Sequence, residues 1–82
     1  MRVGAIIRTL RESRGLTSAE LGRAIGVTEG HVRHIEVGRR RATLVNCVAI
    51  ADALGAPLAM LVGEEVAALV GQLRPQPARA AS

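Results

Sequence analysis

Eighty-two residues make one small domain, with no room for a second hydrophobic core. All eleven basic residues are arginine, seven residues are acidic, and the formal net charge is +4. Phe, Trp and Tyr are absent although 49% of the chain is hydrophobic, which excludes the aromatic stacking that usually holds single-stranded nucleic acid.

Glycine divides the chain into short segments of helical period. Gly15, Gly26, Gly38 and Gly55 each follow an apolar pattern and suit the left-handed position just past a helix end. Thr17, Thr28 and Thr43 precede the following segments and are natural N-caps, because the hydroxyl accepts from a first-turn amide that has no other partner. Thr17 and Glu20 have the spacing of a capping box, with Leu16 and Leu21 as the flanking staple, and Val27 and Val32 flank Thr28 in the same way. The pattern predicts helix 1 from Val3 to Arg14, helix 2 from Ser18 to Ile25, helix 3 from Glu29 to Val37 and helix 4 from Leu44 to Leu54. A short fifth helix starts at Pro57, where a missing N–H costs nothing. The expected core is Val3, Ile7, Leu10, Leu21, Ile25, Val32, Ile35, Leu44, Cys47, Ile50, Leu54, Leu58 and Leu61. No strand alternation or hairpin signal is present, so the fold class is all-α.

Beyond Gly63 a second apolar stripe begins. Val62, Val66, Leu69 and Leu73 follow one another at intervals of four, three and four, and Val70 widens the seam. Glu64 and Glu65 occupy the first turn, where the helix dipole favours them. Pro75 and Pro77 end this segment. The expected organisation is therefore a domain over residues 1–62, an amphipathic helix over 63–74 for dimerisation, and a disordered tail over 75–82.

Charge is unevenly placed. Residues 1–41 hold nine Arg and four Glu, a net of +5, whereas residues 42–82 hold two Arg and three acids, a net of −1. A basic half joined to an apolar half implies a surface for a polyanion backed by a surface for protein contact. One Cys and two His cannot build a structural zinc site or a disulfide framework within one chain. His31 and His34 have a spacing that can share a metal, but only acids lie near as a third ligand, so no metal and no cofactor are expected. Cys47 reads as a small buried hydrophobe. No phosphate loop, nucleophile elbow, carboxylate pair or triad is discernible, and the chain is not expected to be an enzyme. No run is long enough for a membrane span and the start has no signal-peptide core, so a cytoplasmic, nucleoid-associated protein is the expectation.

Helices 2 and 3 are the informative pair. Two helices of about eight residues are joined by Gly26 and Val27, with Gly22 and Ala24 as small residues for a close crossing, and the second helix carries polar outward positions. In order along residues 3–62 come the motifs IRxLR, GLTxxxL, GVT, IExGRR and IADALG. At these spacings the sequence resembles the phage-repressor and Cro type of helix-turn-helix found in many bacterial regulators. The resemblance implies a five-helix bundle with helix 3 as the recognition helix, here with the additional C-terminal helical segment. It implies a homodimer on a near-palindromic operator, with double-stranded DNA as the partner.

By the same resemblance, Thr28, Glu29, Gly30, Arg33 and His34 are turned towards base edges. Chemically, Arg33 suits guanine O6 and N7, and Glu29 suits cytosine N4. Thr17 and Ser18 match a backbone-phosphate anchor, with His31, Arg39, Arg40 and Arg41 as further phosphate contacts. Arg11 and Glu36 match an internal ion pair between helices 1 and 3. Four departures stand out: Ser18 where Gln is common, Gly22 in place of Ala, Gly30 inside the recognition helix, and Ala42 where a Pro precedes helix 4. Each glycine is expected to cost roughly 1 kcal/mol of helix relative to Ala. The seam of Val62, Val66, Leu69, Val70 and Leu73 packs either across a dimer or on its own domain, with the dimer preferred because five helices already supply a core. The expected function is a sequence-specific transcriptional regulator, a repressor. The alternative is a protein-interaction module of the same fold, such as an antitoxin, an antirepressor or a subunit of a larger regulator.

Overall fold

The computed structural model describes residues 3–73. It consists of α1 (Val3–Ser13), α2 (Ser18–Ile25), α3 (Glu29–Glu36), α4 (Leu44–Leu54), α5 (Ala59–Val62) and α6 (Glu64–Leu73), with no strand among the described residues. The tail expected from residue 75 onwards lies outside them, as does Arg74.

Local chemistry sets the helix boundaries. Thr17, Thr28 and Thr43 cap α2, α3 and α4, their hydroxyls accepting from the amides of Glu20, His31 and Asn46 at 3.0, 3.1 and 3.1 Å. The box at α2 closes reciprocally, because the Thr17 amide donates to Glu20 Oε1 at 2.8 Å. This hydrogen bond from the Thr17 amide is the main reason the Glu20 carboxyl titrates below its ordinary value. Gly26 closes α2 at φ 81° and ψ 28°, a conformation that costs a residue with a Cβ. Helix 5 departs from expectation. It begins at Ala59 rather than Pro57, and its cap residue Leu58 has no side-chain hydrogen bond. The Pro57 carbonyl instead accepts from the Met60 amide at 3.1 Å, so proline sits in the turn ahead of the helix.

The first five helices wrap one core. Ile7, Leu21, Val32, Ile35, Cys47, Ile50, Ala51, Leu54 and Leu61 are buried, and Val3, Leu10, Ile25 and Leu58 pack against them. One expected core residue and one expected crossing residue behave differently from expectation. Leu44 is 47% exposed, because periodicity gives the direction a residue points but not how far the neighbouring elements extend. Ala24 is exposed, so the close crossing of α2 over the turn is made by Gly22 alone. A Cβ on buried Gly22 would lie 2.7 Å from the Val27 carbonyl oxygen. Gly4 does the same for α1, where a Cβ would overlap the Ile35 carbonyl oxygen and stand 2.6 Å from that of Glu36.

Helix 2 packs on α3 and α4, while α1 packs on α3, α4 and α5. The arrangement holds α3 by its Val32–Ile35 face and leaves the opposite face open. Helix 6 packs on α5 and buries none of its own residues.

Candidate nucleic-acid interface

Helix 3 is anchored from both ends. At its start Thr28 supplies the cap, and at its end the loop folds back, the Arg39 and Arg40 amides donating to the His34 carbonyl at 2.8 and 3.0 Å. Glu29, Gly30, Arg33 and His34 are exposed on the resulting outward face, and His31 is half-buried. No atom lies within 4 Å of where a Gly30 Cβ would stand, so nothing inside the domain requires glycine there.

Arg11 ties α1 to the end of α3. Its Nε donates to Glu36 Oε2 at 2.6 Å and its Nη2 to Oε1 at 3.1 Å, while Nη1 donates to the Leu16 carbonyl at 2.7 Å. The two side chains are 10% and 5% exposed. The hydrogen bonds to Glu36 raise the already high pKa of Arg11. This paired, two-point contact fixes the rotation of α3 relative to α1.

Two shallow clefts flank the open face of α3. One, of about 240 Å³, is lined by Arg8, Arg11, Ser18, Arg33, Glu36 and Val37. It brings the start of α2 next to Arg33. The Thr17 hydroxyl and amide are both engaged by Glu20, so neither group of Thr17 is left over at the start of α2. The second, of about 300 Å³, is lined by Thr28, Gly30, His31, His34 and Arg40. Here the Arg40 guanidinium lies 3.5 Å from His31 Nδ1. Arg39 and Arg41 are exposed in the same loop, and Arg41 also lines a cavity of about 310 Å³ between α1 and the loop.

Arg8 joins the first cleft without having been singled out from the sequence. It pairs with Glu12 at 3.3 Å and lies one turn before Arg11 on α1. Since Arg11 reaches α3, the i to i+3 spacing was the available signal. The sequence offers Glu29 and Arg33 as a separate acceptor and donor, yet Arg33 Nη2 lies 2.8 Å from Glu29 Oε1. Among the described residues, no group of three or more His, Cys, Asp or Glu could hold a metal ion. Cys47 is buried, and that burial raises its thiol pKa.

The sequence model of the helix-turn-helix family matches residues 7–61, which spans α2, the turn and α3 together with their supporting helices. The chain belongs to the helix-turn-helix family. Domains of this family are regulatory DNA-binding modules rather than catalysts. The matched helix-turn-helix region includes both flanking clefts and stops before α6. The immunity repressor protein of Bacillus phage phi105 is 34% identical over 65 residues, covering 79% of this chain and 45% of that protein. The chain thus spans less than half the length of this relative. No solved structure matches the chain. Among the described residues no helix is long and apolar enough to cross a membrane.

Proposed function

We propose that the chain is a sequence-specific, double-stranded DNA-binding transcriptional regulator that represses by occupying a near-palindromic operator. The carrying observation is the open face of α3, whose opposite side is locked into the core and whose flanks hold the start of α2 and arginines. In this reading Thr28, Glu29, Gly30, Arg33 and His34 face base edges in the major groove. Ser18, Thr17, His31, Arg39, Arg40 and Arg41, together with Arg8, contact phosphates and set register without reading sequence. Such a protein works in the cytoplasm, on the nucleoid. The similarity to a phage immunity repressor supports repression rather than activation.

The protein works as a homodimer. Residues 1–62 form the DNA-binding unit, and the segment of residues 63–74, which contains α6, pairs two copies. Val66, Leu69 and Leu73 are 39%, 56% and 76% exposed, an apolar seam that a second copy would cover together with half-buried Val62 and Val70. Selection of bound sites from random duplex DNA, with the mass of the protein in solution measured alongside, tests the reading. A palindromic consensus and a dimer are expected; an unselective monomer contradicts it.

The same exposed seam favours a second reading, a protein-interaction module of this fold acting as an antitoxin, an antirepressor or a subunit of a larger regulator. A stoichiometric heterologous partner, found for a protein that by itself retains no duplex, would favour that reading over the first.

A further inference from the structure

Glu29 and Arg33 stand one turn apart on the open face of α3, with Glu29 Oε1 2.8 Å from Arg33 Nη2. The side chains are 46% and 66% exposed, so the pair is formed at the surface that meets a ligand and not in the core. An acid one turn ahead of a base is the favourable order on a helix, with the acid in the first turn and the base in the last. Glu29 Oε2 and the remaining N–H groups of Arg33 have no partner among the described residues. The paired side chains therefore present an acceptor beside a planar fork of donors.

In the major groove a C·G pair shows, from the cytosine side, the N4 donor and then the guanine O6 and N7 acceptors. A T·A pair shows a methyl group, an acceptor, a donor and an acceptor, so a side-by-side acceptor and two-donor fork cannot satisfy it. We propose that the Glu29–Arg33 ion pair reads one C·G base pair as a single unit, Glu29 accepting from cytosine N4 and Arg33 donating to guanine O6 and N7. This rests on the duplex reading proposed above and names the base pair that the site takes. Neither side chain has to abandon the other on binding. The pair carries no net charge to the phosphates, so it contributes to choice of sequence and not to the salt dependence of affinity.

The test uses the operator selected by the full chain and titrates it with the wild type, E29A, R33A and the double variant. Each G·C pair is exchanged for A·T in turn, and each guanine for 7-deazaguanine, which lacks the N7 acceptor. The proposal expects one G·C pair whose exchange weakens the wild type about tenfold or more. R33A is indifferent to that exchange, E29A retains only part of the discrimination, and the double variant loses no more than R33A, the signature of coupled groups. At that guanine, 7-deazaguanine weakens the wild type and leaves R33A unchanged, and the salt slope of the double variant equals that of the wild type. Both side chains are exposed, and equal helix content and melting temperature establish that the variants fold. Loss of discrimination at two different base pairs, one for each substitution, overturns the proposal. So does an operator whose G·C pairs are read equally well by all four proteins, with the duplex reading intact. A protein that selects no operator overturns both.

Discussion

An alanine at position 22 would press its Cβ to 2.7 Å from the Val27 carbonyl oxygen, a backbone atom that can yield only if the turn moves. An alanine at position 30 would meet nothing within 4 Å. One substitution in two adjacent helices thus takes opposite signs. G22A is expected to destabilise by about 1–3 kcal/mol through overpacking, and G30A to stabilise by about 1 kcal/mol through helix propensity. Thermal melts separate them, since each kcal/mol shifts the midpoint by roughly 4–8 °C in a domain of this size. If glycine at position 30 instead serves close approach to the groove wall, G30A will melt higher and bind duplex less tightly. Glu20 offers a third test at this scale. Its folded pKa lies below the ordinary carboxylate value, so its contribution is present above that ordinary value and is lost as pH falls through the folded one. E20Q should therefore melt lower than the wild type at pH 7 and lose less on acidification to pH 3. Parallel acid limbs would show that the capping box carries no charge-dependent stability.

Among the elements, α2 and α4 run between the residues their sequence signals name, because each boundary is fixed within a few residues by a threonine cap and a glycine stop. Where the boundary depended on the fold, the sequence pattern was less informative. Pro57 suits the first position of a helix as well as the turn before one, and only the path from α4 to α5 selects the turn. The same division holds for the site. The outward positions of α3 follow from helical period, whereas the cleft joining Arg8, Ser18 and Arg33 needs the crossing of α1 over α3 that Gly4 permits. Substitution separates the roles proposed for these positions. R33A should relax specificity at one base pair, whereas R40A should weaken all sequences alike and lower the salt slope by about one per protomer. Uniform losses from both would remove α3 as the reading helix.

For the whole molecule, the uneven charge and the apolar excess of the sequence correspond to two surfaces. Six of the nine arginines in residues 1–41 line the clefts or the loop around α3, namely Arg8, Arg11, Arg33, Arg39, Arg40 and Arg41. Three of the exposed large hydrophobic residues, Val66, Leu69 and Leu73, lie on α6, whose residues are all outside the core. L69R should leave the folding stability of the full-length monomer within about 0.5 kcal/mol of the wild type, as for an exposed site, yet dissociate the proposed dimer in sedimentation. An unchanged dimer would move the interface elsewhere. In the proposed dimer, two copies of α3 should meet half-sites about 34 Å apart, or a multiple of that. The most direct test of sequence-specific duplex binding is the affinity of the full chain for its selected operator and for a scrambled duplex across a salt series. Both affinities should fall steeply with salt, with the operator bound at least about a thousandfold more tightly at each concentration. Equal affinities, or binding that ignores salt, would contradict the account.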